Sequence, residues 1–120
     1  MYYKTLAIDK NKWFKLSLVE QMANVGSEVI RAINWRRKGD FEYSKRAIER
    51  ALELLYLTIE DPKNKKFSRL KELKRVYEFL VDYFYFNNQY GSSDEGWFKY
   101  FYAFNYKANI EKTKGKVQNA

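Results

Sequence analysis

The sequence predicts an all-α protein: an antiparallel four-helix bundle with an extended N-terminal arm and a loose C-terminal tail. Three observations carry this. Apolar residues recur every three or four positions through most of the 120-residue chain, the spacing that lays one stripe along a helix. Starting and stopping signals punctuate these runs. One Pro and five Gly leave long stretches uninterrupted. The length suits one domain, divided into an arm over 1–16, the bundle over 17–109 and a flexible basic tail over 110–120.

The first residues show no sustained helical period, and a strand there would have no partner strand, so they are expected to be extended. Ser17-Leu18-Val19-Glu20 then has capping-box form, in which the Ser oxygen accepts from the third helical N–H and the Glu reaches back. Leu18, Met22, Val25, Val29 and Ile33 follow as one stripe. Arg36-Arg37-Lys38 before Gly39 puts cations at the negative end of the helix dipole and Gly at the left-handed cap, so the first helix covers 18–38.

Asp40 is the expected cap of the second helix, whose period runs through Phe41, Ser44, Ala47, Ile48, Ala51, Leu54, Leu55 and Thr58. Asp61-Pro62 ends it, because a residue before Pro is pushed out of the α region. So short a link makes these two helices a hairpin, with Ala47 and Ala51 allowing close approach. Ser68 is the expected cap of the third helix, striped by Leu70, Leu73, Val76, Tyr77, Leu80, Val81 and Phe84. Residues 87–91 are turn chemistry. Ser92-Ser93-Asp94-Glu95 reads as a second capping box, and Trp97, Phe101, Phe104 and Ala108 mark the fourth helix.

Composition excludes much. Cys and His are both absent, which removes disulfides, thiol nucleophiles, imidazole bases and zinc sites built on either residue. A di-iron bundle needing Glu-x-x-His fails for the same reason. No cofactor, metal or enzymatic activity is expected. The opening lacks the apolar core of a signal peptide, and no run is long enough to span a membrane, so the expectation is a cytoplasmic protein with no membrane partner. Lys and Arg outnumber Asp and Glu by 23 to 15, a net charge of +8 that favours anionic partners.

Three groups are candidates for function. Aromatic residues occupy 14 of the 30 positions from Tyr77 to Tyr106. The fourth helix is ringed almost all round, so Trp97, Phe98, Tyr100, Tyr102 and Tyr106 are the expected interface through which the chain self-associates or docks on a protein partner, the leading expectation for its function. Seven cations fall within thirteen residues at Lys63, Lys65, Lys66, Arg69, Lys71, Lys74 and Arg75. Of these, Lys65, Lys66, Arg69, Lys74 and Arg75 are the expected contacts should RNA be bound, against the alternative of a solvated lysine-rich face. Glu28, with Arg46 or Arg50 opposite it, is expected to make carboxylate–guanidinium pairs that fix the hairpin's register.

The run Gly39-Asp40-Phe41-Glu42-Tyr43-Ser44-Lys45-Arg46-Ala47-Ile48-Glu49-Arg50-Ala51-Leu52-Glu53-Leu54-Leu55, with the stretch 75–84, resembles the helical hairpins of HEPN-type bundles encoded beside small nucleotidyltransferases in prokaryotic toxin–antitoxin pairs. Active HEPN ribonucleases carry Arg followed after a short spacer by His. Here Arg75 is followed at those distances by Leu80, Val81 and Asp82. The resemblance therefore implies a non-catalytic helical partner protein.

Overall fold

The computed structural model describes residues 8–118 and is helical throughout, with no strand among the described residues. Five α-helices follow in order: α1 (Lys10–Lys15), α2 (Leu18–Arg37), α3 (Phe41–Glu60), α4 (Phe67–Tyr85) and α5 (Asp94–Gln118), with a short 3-10 turn, Pro62–Asn64, before α4.

Local signals explain most boundaries. Ser17 and Glu20 form the expected reciprocal box at the start of α2, with Glu20 N donating to Ser17 Oγ over 3.1 Å and Ser17 N to Glu20 Oε1 over 3.0 Å. Gly39 takes φ +82° after α2, a conformation that costs a β-carbon dearly, and Asp40 accepts from Tyr43 N to start α3. Ser93, rather than Ser92, caps α5 by accepting from Gly96 N. With Gly at the third helical position the reciprocal box cannot form, and Glu95 pairs with Arg37 instead.

Three expectations need correction. The arm is not extended over its whole length: 10–15 form α1, capped by Asp9, while residues 1–7 lie outside the described residues. The tail does not begin at 110, because α5 continues to Gln118. Apolar period fades there, but Glu, Lys and Gln keep their helix propensity and no Pro intervenes. Ser68 is not a cap either. Helix α4 starts at Phe67, and its cap position is Lys66, which makes no side-chain capping bond.

Helix α2 is central and packs against α3 on one side and α5 on the other, while α3 also packs against α4. The approach of α5 depends on Gly26, where a β-carbon would sit 2.6 Å from Phe101 Cβ. Met22, Val25, Val29 and Ile33 of α2 meet Ile48 and Leu55 of α3, Leu73 and Leu80 of α4, and Phe101 of α5 in one core.

Polar bonds fix the hairpin's register, although not those expected. Ser44 Oγ donates to Ala32 O over 2.7 Å at one end. At the other, fully buried Gln21 donates to Asp61 Oδ2 (2.8 Å) and Trp13 O (3.0 Å) and accepts from Asn64 Nδ2 (3.0 Å). Trp13 Nε1 donates to Thr58 Oγ1. Burial favours a neutral Asp61, yet its hydrogen bonds with Lys63 and Gln21 prevail and hold the carboxyl below its ordinary value. The expected cross-helix ion pairs are replaced by pairs within single helices: Glu28 with Arg31 at 3.0 Å, and Arg46 with Glu42 at 3.6 Å. Arg50 acts on Glu53 of its own helix, where burial raises the carboxyl's pKa and Arg50 opposes it.

Candidate functional site

Helices α4 and α5 each lean on the central pair and approach one another less closely. The seam between them holds a cleft of about 660 Å³. One stripe of α4 lines it, at the helical spacing of Ser68, Lys71, Glu72, Arg75, Val76 and Phe79, and faces Gly96, Trp97 and Tyr100 of α5.

The turn before α5 completes the wall. Buried Asp82 accepts from Gln89 N (3.0 Å) and Tyr90 N (3.2 Å). The Asn88 side chain brackets Ser92, accepting from its N–H and donating to its carbonyl. These bonds present Tyr90 so that its ring stacks on Phe79 at 4.3 Å and 14°, with 56% of the residue still exposed. On the α5 side Trp97 is stacked on Phe101 at 5.8 Å and meets Tyr100 edge-on at 6.1 Å. Tyr100 OH donates to Glu72 Oε2 over 2.9 Å, a latch across the seam. Burial first, and the Glu72 charge second, push the Tyr100 phenol well above its ordinary pKa.

A clamp positions the start of α5. Asp94 accepts from Arg36 (3.4 Å), Arg37 (2.9 Å) and the Tyr83 hydroxyl, and the Arg36 guanidinium lies over the Tyr83 and Phe84 rings at 4.6 Å each. Burial favours the protonated Asp94, but bonds from Tyr83 and Arg37 outweigh it and hold the carboxyl below its usual range. Burial and the Asp94 bond push Tyr83 up to about 12.

The structure sorts the residues singled out in the sequence. Arg75 lines the cleft, together with Lys71, and neither is in an ion pair among the described residues. Lys66 and Lys74 are exposed and Arg69 half-buried on the same helix start. Lys65 is paired with Glu60 at 3.7 Å, and Lys63 is held by Asp61 and Phe14 O. The aromatic set divides. Trp97, only 7% exposed, is a cleft and core residue rather than surface, and Tyr100 is half-buried beside it. Phe98, half-buried against the core with the Arg37 guanidinium over its ring at 5.1 Å, stacks on Tyr102 at 6.0 Å, and Tyr102 and Tyr106 are 53% and 68% exposed.

Sequence reasoning passed over Glu72, Phe79 and Tyr90. The i, i+3, i+4 stripe from Ser68 to Phe79 was the available signal for the first two. Among the described residues no group of three or more acidic, His or Cys side chains could hold a metal ion, and no helix is long and apolar enough to cross a membrane. Comparison with known protein families, curated proteins and solved structures finds no match to this chain.

Proposed function

We propose that this chain is a non-catalytic helical binding protein that engages single-stranded RNA along the first half of α4 and the ring-lined seam beside it. The observation that carries the reading is the placement of Lys71 and Arg75, neither in an ion pair among the described residues, on the same stripe of α4 as Glu72 and Phe79 and across the cleft from Trp97 and Tyr100. Backbone phosphates require unspent cations, and bases without sequence preference stack on exposed ring faces, which Tyr90, 56% exposed, supplies at the rim of this cleft. The start of α4 adds to this. Its first turn has no acidic residue and its cap no side-chain bond, so the positive end of the helix dipole meets Lys66 and Arg69 rather than an anion of the chain. The finer architecture, an antiparallel bundle of α2 to α5, belongs to the same proposal, as does the HEPN-like kinship with Arg75 in its site and no His after it.

Retention of single-stranded RNA measured against salt is the test. Replacing Lys71 and Arg75 together by Ala is expected to flatten the dependence of log K on log salt by about 1.4 units, roughly 0.7 per lost contact to a single strand. Absence of retention at low salt overturns the reading.

A second reading rests on Tyr102 and Tyr106, the exposed rings of α5, with half-buried Phe98 stacked beneath Tyr102. That surface suits a second copy or a protein partner. Sedimentation that finds a strict monomer, unchanged by Tyr102→Lys, removes self-association.

A further inference from the structure

We infer that the α4–α5 cleft is a pocket for one nucleotide unit, its base laid against Tyr90 and its phosphate held by Lys71 and Arg75. This rests on the RNA reading and narrows it from a charged surface to a defined recess. Three features support it.

Size is the first: about 660 Å³ lies within the range of small-molecule sites. The second is the division of chemistry within the recess. The α4 wall carries Lys71 and Arg75 with Glu72 between them, its carboxylate engaged by the Tyr100 hydroxyl, and Phe79, Tyr90, Trp97 and Tyr100 supply the rings. An apolar peptide would desolvate two cations against a single carboxylate, Glu72, whereas a base with its phosphate meets both the rings and the excess positive charge. The third is that Tyr90 is held ready rather than tucked in. The Asp82 carboxylate fixes its backbone, Phe79 supports one face of its ring, and the rest of the ring meets no other aromatic or hydrogen-bond partner among the described residues. A pre-set ring loses little freedom when a base stacks on it.

The experiment is binding of short single-stranded oligoadenylate by calorimetry over a salt series, on the full chain. Two further ligands run alongside, an abasic oligonucleotide of equal length and free adenosine monophosphate. Tyr90→Ala is expected to weaken oligoadenylate binding about tenfold at every salt concentration with the slope unchanged, the signature of a lost stack. Tyr90→Phe keeps the ring and is expected to restore the affinity. Arg75→Gln should instead lower the slope by about 0.7 units, one contact to a single strand. The abasic chain is expected to bind the wild type as weakly as oligoadenylate binds Tyr90→Ala.

Competition by the free mononucleotide would show that the single unit suffices. Binding of the oligonucleotide alone would show that the recess takes a unit within a chain. Either supports the pocket. Equal affinity for abasic and adenylate chains, or no effect of Tyr90→Ala, overturns the pocket while leaving the charge-based RNA reading in place. Failure of every ligand at low salt overturns both. Loss of self-association rather than of nucleotide binding in Tyr90→Ala would assign the recess to a second copy and overturn it as well.

Discussion

The two ends of the 63–75 basic segment meet opposite fates, although they look alike in the sequence. At its start, Lys63 lies against Asp61 and Phe14 O, beside a group in which Trp13, Gln21, Thr58, Asp61 and Asn64 satisfy one another, with only Asn64 Oδ1 left without a partner. At its end, Lys71 and Arg75 face an open cleft whose Trp97 Nε1 is also unpaired and sealed from solvent. Helix starts show the same contrast. A reciprocal box and an acidic first turn begin α2, while α4 begins on Lys66 with neither. What the difference teaches is where the chain meets its own needs and where it leaves charge and ring surface for something else. Departures from local rules that nothing inside the molecule compensates belong to sites of function.

The sealed end should be the costlier one to disturb. Gln21→Ala strips partners from Asp61, Asn64 and the Trp13 carbonyl at once and leaves a hole. It is expected to lower unfolding free energy by about 3 kcal/mol, read by urea denaturation, since each orphaned buried polar group and the cavity add to the loss. A loss no larger than that of an exposed substitution would mean that this end is not the brace described.

The open end should respond in the opposite sense. Lys66→Asp supplies a cap and an anion where the dipole favours one, and is expected to raise stability by about 1 kcal/mol. RNA retention should weaken in the same variant. Gain of stability without loss of RNA binding would separate the start of α4 from the site.

The smallest effect concerns the clamp on α5. Tyr83 is raised from 10.0 to about 12 in the folded chain, so its contribution is complete below pH 10 and is lost as pH climbs from there to about 12. Asp94 runs the other way. Its folded pKa lies below 3.8, so its contribution is present above that value and disappears as pH falls below it. Thermal melts of Tyr83→Phe should therefore fall less steeply above pH 10 than those of the wild type, the remaining slope including Tyr100, which is raised as well.

Much of the fold could be read before the structure, because caps and stripes are local. Ser17, Gly39, Asp40 and Asp61-Pro62 bound α2 and α3 with no tertiary information. Helix α1 escaped because six residues hold too few turns to show a period, and its one buried residue, Trp13, reveals its role only through Thr58, 45 residues away. The end of α5 escaped for the converse reason: propensity carries a helix on after its apolar stripe has stopped. The cleft was half legible. Arg75, Trp97 and Tyr100 were singled out in two separate groups, but only the packing of α4 on α3 and α5 on α2 brings those groups face to face. Which lysines remain unspent depends on the register of carboxylates such as Asp61 and Glu60, and no spacing rule reports that.

Gly26 extends its influence beyond the core it sits in. Phe101 rests directly on its bare α-carbon, and Trp97, one turn earlier on the same helix, is a wall of the cleft. The width of the recess is thus tied to the next turn of the same face of α5, by an absent methyl group on another helix. A single added carbon there would work as a wedge, prying α5 off α2 and reshaping a mouth that it never touches.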